Sequence, residues 1–155
     1  MKNLIMMAGL PRSGKSTFRK SLVTQFGYPV VCPDEIRLLL HNTSFDADRE
    51  SEVWKIVRVM VQELFNTGSS TVILDATNTT IKRRDEWKSD QWSRRIYYMD
   101  TPKNICIDRA KDSQTEYLIP VIERMSSSLE VPNKTELVEN ESLYTVTESR
   151  ISLPT

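Results

Sequence analysis

Two kinds of hydrophobic pattern alternate along the chain. Short unbroken apolar runs occur at residues 3–8, 28–32, 71–74, 95–99 and 143–146. Runs of that length, bounded by glycine or polar turns, predict strands buried on both faces. Between them the apolar positions fall at helical spacing. Residues 17–26 carry Phe18, Leu22, Val23 and Phe26 and stop at Gly27, a natural helix terminator. Residues 34–40 predict a short helix. Residues 47–65 predict a longer one, with Val53, Ile56, Val57, Met60, Val61 and Leu64 on one stripe. Residues 81–92 read as a charged amphipathic helix. Another helix starts after Asp100-Thr-Pro102, with a cap and a proline in its first turn. A last one covers 119–129. The polar, acidic stretch 131–142 reads as a surface loop. Strands alternating with helices predict an α/β fold of three layers, a mostly parallel five-stranded sheet covered on both faces.

The 155 residues fit one domain, and no internal repeat or low-complexity linker divides them. The 21 basic and 21 acidic residues cancel, which excludes a strongly basic nucleic-acid coat protein but not a local basic groove. No apolar run is long enough for a transmembrane helix. The first apolar run is followed at once by Arg12 and Lys15, with no small-residue cleavage site, so a cytoplasmic protein is expected. Cys32 and Cys106 lie far apart among apolar neighbours and are expected to be core residues rather than a zinc or redox pair.

The most specific chemical signal is Gly9-Leu-Pro-Arg-Ser-Gly14-Lys15-Ser16. It satisfies G-x-x-x-x-G-K-[ST] in full, after a predicted strand and before a predicted helix. Glycines at both ends let successive N–H groups turn inward onto a phosphate. The helix that follows adds its free N–H groups and the positive end of its dipole. Gly9, Arg12, Ser13, Gly14, Lys15, Ser16 and Thr17 are therefore the candidate nucleotide-binding residues. Lys15 would reach the β- and γ-phosphates and Ser16 would ligate Mg²⁺. Asp75 ends the third apolar strand, where a carboxylate would sit near the same metal, or would simply cap the junction.

The remaining candidates lie beyond other strand ends, where doubly wound sheets hold their ligands. Asp34 follows the second strand and could take the proton of an attacking hydroxyl. Arg37 is one turn further on the same side and could clamp a phosphate or carboxylate. The plain alternative is a helix-capping Asp34 with a solvated partner. Thr77 and Asn78 follow the third strand, and their plain reading is as turn formers. Residues 82–95 are locally basic, with Trp87 and Trp92 interleaved. That composition suits a strand of nucleic acid, or a helix whose tryptophans face the core. Arg109 and Lys111 end the helix after Pro102 and could close a basic lid over a triphosphate or cap the helix.

Taken together, these residues resemble the kinase domain of the phage polynucleotide 5′-hydroxyl kinases and their small P-loop kinase relatives. The resemblance covers nearly the whole chain. It rests on Gly9 to Thr17, Asp34-x-x-Arg37, Asp75-Ala-Thr-Asn78 with Arg83-Arg84 and Trp87, and Arg109 followed by Pro120-Val-Ile-Glu-Arg-Met125. It implies a P-loop NTPase fold with a helical lid, and ATP and Mg²⁺ as cofactors. Asp34 would activate a 5′-hydroxyl, and Arg37 would hold the adjacent 3′-phosphate. Thr77, Asn78, Arg83 and Arg84 would shape or support the acceptor side, and Arg109 would belong to the lid or the adenine side. Two departures stand out. Family members often carry a second lid arginine, where this chain offers only Lys111. The Asp-x-Asp-Gly-Thr phosphatase motif of the larger phage enzymes does not occur, so kinase activity alone is implied.

The acceptor stays open between a DNA or RNA 5′-hydroxyl and a small molecule such as a sugar acid, nucleoside, nucleotide or antibiotic, because a fold does not fix its acceptor. A non-catalytic nucleotide-binding regulator is the third reading, and Asp34 speaks against it, since a switch needs no base. No membrane partner is expected, and a homo-oligomer is left open.

Overall fold

The computed structural model describes residues 1–42, 45–147 and 150–152. Strand β1 (Asn3–Ala8) lies between β3 (Thr71–Leu74) and β4 (Ser93–Met99). Strand β2 (Val30–Val31) flanks β3, and β5 (Ser142–Thr147) flanks β4. These five strands are parallel, as the pattern predicts. A short sixth strand, β6 (Arg150–Ser152), adds antiparallel to β5 at the edge and was not anticipated. The helices are α1 (Lys15–Phe26), α2 (Pro33–His41), α3 (Glu50–Asn66), α4 (Ile81–Asp85), α5 (Lys103–Asp112) and α6 (Ile119–Ser128). No helix among the described residues is long and apolar enough to cross a membrane.

The alternation of β1 builds the layers. Leu4, Met6 and Ala8 pack into one core with Val53, Val57, Val61 and Phe65 of α3. Ile5 and Met7 face the other way, against Phe18 and Leu22 of α1 and Met99 of β4. A fully buried aliphatic or methionine side chain contributes about 1.5–3 kcal/mol, so both layers are anchored on one strand. The four buried residues of α3 recur every fourth position, while Met60 turns out to solvent. A third cluster joins Leu10 of the loop after β1 to Cys106 and Ala110 of α5 and Ile122 of α6. That apolar contact seats α5 and α6 on the phosphate loop. Both cysteines are buried, and burial pushes their thiols up, which fits the core reading.

Residues 81–95 correct the sequence reading. The helix there is only α4, five residues long, instead of running to 92. The chain then turns so that Trp87 and Trp92 enter the core, where Trp92 stacks on Phe65 with ring centroids 5.2 Å apart and donates its indole N–H to the Trp87 carbonyl. Neither tryptophan is available to a nucleic-acid base. Arg84 and Arg94 are fully buried as well.

The stretch 131–142 is likewise more than a surface loop. A single helical turn at Lys134–Glu136 opens with a reciprocal cap between Asn133 and Glu136. It carries Glu136 onto Arg84, with two bonds of 2.8 and 2.9 Å. Five residues on, Glu141 takes two bonds from Arg94, 2.6 and 2.7 Å long. Burial works to raise both carboxyls, but the arginines and nearby backbone N–H groups outweigh it and hold them below the usual value. Each guanidinium also donates to main-chain carbonyls: Arg84 to Asn78 and Glu130, Arg94 to Arg84 and Glu136. Removing one partner of such a pair strands a buried charge. Glu141→Ala should therefore cost about 3–5 kcal/mol in urea unfolding, and a loss below about 1 kcal/mol would contradict this reading of the pair.

Candidate functional site

The loop after β1 is shaped by steric necessity. At Gly9, with φ at +156°, a Cβ would meet Ser13 Oγ at 2.8 Å and Met99 Cβ at 3.0 Å. At Gly14, φ is +104°, a conformation that L side chains rarely adopt. The loop is then tied from three sides. The Gly9 N–H donates to the Thr77 carbonyl (2.9 Å), Thr101 Oγ1 to the Ser13 carbonyl (2.8 Å), and Arg109 Nη1 to the Arg12 carbonyl (3.2 Å). Thus β3, β4's exit and α5 all hold it. Ser16 and Thr17 open α1 exposed to solvent. No side chain caps this helix and no acid lies in its first turn, so its N–H groups face outward for an anion.

Lys15 folds back over the loop. Its Nζ donates to the carbonyls of Gly9 (3.0 Å) and Leu10 (2.6 Å). Burial pushes its ammonium down to about 8, against the pull of Asp75, Cys106 and Asp34. Asp75 is the first residue past β3, and its N–H donates to the Val31 carbonyl. Its carboxylate accepts from Arg19 Nη1 at 2.9 Å. Burial raises the Asp75 carboxyl, with Arg19 and Lys15 opposing. Arg19 was not foreseen. Its position four residues after Lys15, on the same face of the helix, is the signal that could have found it.

The second half of the site hangs on α2. Proline at its first position and two acids in its first turn favour a helix start at Pro33. Asp34 projects into solvent with its side chain 75% exposed, and Oδ1 accepts from Arg37 Nη1 at 2.6 Å. Arg37 is itself gripped from the other side. Its Nε donates to Glu50 Oε2 at 3.1 Å, and its Nη2 to Glu50 Oε1. Burial works against the Arg37 charge, and the Glu50 and Asp34 bonds more than offset it, holding its proton more firmly still. Trp54 Nε1 donates to the same Oε1 at 3.0 Å. Arg83 lies 4.1 Å above the Trp54 ring and pairs with Glu86. Glu50 and Trp54, like Arg19, are site residues that sequence reasoning missed. The first two lie on α3, where only the apolar stripe drew notice.

Two expected acceptor-side residues need correction. Asn78 is buried, its side-chain N–H₂ donating to the Met7 carbonyl at 2.7 Å. Arg84 is held by Glu136 and main-chain carbonyls. Both brace the strand exits from inside and neither can touch a ligand. Thr77 reaches the site through its carbonyl, bonded to the Gly9 N–H. Arg109 sits over the phosphate loop, its Nη1 on the Arg12 carbonyl.

A phosphate-cradling loop, an uncapped helix start and an acid–arginine pair at the neighbouring strand end define a P-loop kinase fold. The sequence matches the AAA domain family over residues 4–132, and the chain belongs to that family. Among curated proteins none matches it in sequence. Many solved structures are similar, three of them as follows. A chain of the Pnkp1/Rnl/Hen1 complex is 25% identical over 70% of this chain, with a TM-score of 0.64. This chain spans only 38% of that one. A gluconokinase from Sinorhizobium meliloti 1021 is 16% identical, covering 93% of this chain and 82% of its own, with a TM-score of 0.59. A sugar kinase from Janibacter sp. HTCC2649 is 15% identical, covering 97% and 87%, with a TM-score of 0.63. The fold is thus shared with a chain of the Pnkp1/Rnl/Hen1 complex and with sugar kinases alike.

The Lys15 ammonium value of about 8 has a consequence for nucleotide binding. Only the charged form completes a triphosphate site, so binding takes up a proton when Lys15 starts neutral. Affinity for ATP should fall as pH rises through about 8, approaching about tenfold per unit above it. Lys15→Arg should flatten that slope between pH 7 and 9, because arginine keeps its charge. Equilibrium titrations across that range check this, and a wild-type affinity flat to pH 9.5 would contradict it.

Proposed function

We propose that this protein is an ATP-dependent kinase that transfers the γ-phosphoryl group to the 5′-hydroxyl of DNA or RNA. The observation that carries the reading is the Asp34–Arg37 pair. It stands beyond β2, with the Asp34 carboxylate exposed to an incoming acceptor and within electrostatic reach of both Lys15 and Asp75. A nucleotide-binding regulator has no use for such a carboxylate. Resemblance to the polynucleotide kinases, and similarity to a chain of the Pnkp1/Rnl/Hen1 complex at 25% identity, support the acceptor class.

The chemistry follows from the residues. The loop N–H groups and Lys15 take the triphosphate, the ammonium exchanging its bonds to the Gly9 and Leu10 carbonyls for phosphate oxygens. Ser16 and Asp75 offer hard oxygen donors that fit Mg²⁺, whose charge would offset that of the β- and γ-phosphates. Arg37 holds Asp34 Oδ1, which leaves Oδ2 to accept the hydroxyl hydrogen. The acceptor oxygen bonds to the γ-phosphorus, the bond from that phosphorus to the bridging β-oxygen breaks, and the proton passes to Asp34. Arg109, over the loop, adds positive charge on the leaving-group side. A small-molecule acceptor, such as a sugar acid, nucleoside, nucleotide or antibiotic, is the second reading. It is favoured by Arg37 already facing two carboxylates, which weakens its pull on a phosphate.

The test is transfer of labelled γ-phosphate from ATP and Mg²⁺ to a short oligonucleotide with a 5′-hydroxyl, beside the same oligonucleotide already 5′-phosphorylated. Label should enter only the hydroxyl form, and Asp34→Asn should abolish transfer while ATP binding persists. Labelling of gluconate or a nucleoside with none of the oligonucleotide would establish the second reading instead. Full activity of Asp34→Asn would overturn the base assignment.

A further inference from the structure

We propose that Glu50, itself fixed by Trp54, is the positioning residue that sets Arg37, and through it Asp34, for the reaction. This rests on the kinase reading of the Asp34–Arg37 pair and adds to it the element that makes the pair work. Arg37 has a long side chain, and its bond to Asp34 joins it to a carboxylate that is 75% exposed. A single bond to a carboxylate so open to solvent does not by itself hold the guanidinium in one geometry. Glu50 supplies what is missing. Its two oxygens accept from Nε and Nη2, the side fork of the guanidinium, and a two-pronged bond fixes the plane of the group as well as its distance. The pair is sheltered, with side chains 14% and 20% exposed.

Glu50 is in turn prevented from swinging. It is the first residue of α3, and Trp54 lies one turn on, with its indole N–H on Glu50 Oε1. The Arg83 guanidinium covers the Trp54 ring and hinders its rotation. The order of support therefore runs from Arg83 to Trp54, Glu50, Arg37 and Asp34. Three of the five Arg37 N–H groups are engaged in these bonds, so two remain for an acceptor. Glu50 decides which two, and which way they point.

A merely structural Glu50 would tie α2 to α3 and matter only for stability. A positioning Glu50 acts on the acceptor through Arg37 alone. Transfer to the 5′-hydroxyl oligonucleotide separates the two. Glu50→Ala should lower kcat/KM for the oligonucleotide by about 100-fold, with KM for ATP within about twofold of wild type. Trp54→Phe keeps a ring under Arg83 and removes only the N–H; it should lose about tenfold and guards against Glu50→Ala simply failing to fold. In an Arg37→Ala background, Glu50→Ala should cause no further loss, the signature of one residue acting through another. A full additive loss, or equal effects on ATP and oligonucleotide, would overturn the proposal.

A readout independent of activity is the Arg37 Nε–H resonance, assigned by its absence from Arg37→Lys. It should exchange slowly in the wild type and become fast or broadened in Glu50→Ala. If that signal behaves as expected but no oligonucleotide is phosphorylated, the acceptor assignment fails and the Glu50–Arg37 constraint stands. If the signal is indifferent to Glu50, the constraint itself is refuted.

Discussion

Everything in this molecule depends on β1 being buried on both faces. Because Leu4, Met6 and Ala8 face one helical layer while Ile5 and Met7 face the other, the strand has no freedom to shift register or tilt. A one-residue slip would exchange the two cores. The loop that follows therefore leaves the sheet at a fixed point, between β3 and β4. The contacts that shape it come from those neighbours: the Thr77 carbonyl on the Gly9 N–H, and Met99 against Gly9 itself. Hydrophobic burial thus sets the position of a purely polar device.

The second theme is charge held in reserve. Lys15 donates to carbonyls of its own loop, Asp75 is held by Arg19, and Arg37 by Asp34 and Glu50. On the proposed reading, each of these groups would engage a nucleotide, its metal ion or an acceptor. Internal partners satisfy them meanwhile, which limits the cost of desolvating unpaired charge. For Lys15, binding a triphosphate would then be an exchange of partners. Two further arginines, Arg84 and Arg94, use the same chemistry for architecture. They lie fully buried, are matched by Glu136 and Glu141, and offer nothing to a ligand.

The sequence made the phosphate loop legible because its residues are contiguous and its spacing is dictated by backbone geometry. The five parallel strands were legible for a similar reason, as each is a short, continuous apolar run. Residues 81–95 were not. Two tryptophans and six basic residues among polar neighbours fit a helical face equally well, and only the partners decide otherwise. Those partners lie far away in the chain: Glu136 is 52 residues from Arg84, and Glu141 is 47 from Arg94. The Glu50 support of Arg37 was hidden likewise, 13 residues off across a helix–helix contact. The hint for 131–142 was the Asn133–Glu136 cap, a local signature that an acidic loop composition masked.

The proposed reaction is a single in-line transfer from ATP to a hydroxyl activated by Asp34, with no covalent enzyme intermediate. The stereochemical course at phosphorus tests it most directly. With ATP made chiral at the γ-phosphorus by oxygen isotopes, the product phosphate should show inverted configuration, as one displacement requires. Retention would mean two displacements through a phosphorylated side chain, and would contradict the role assigned to Asp34.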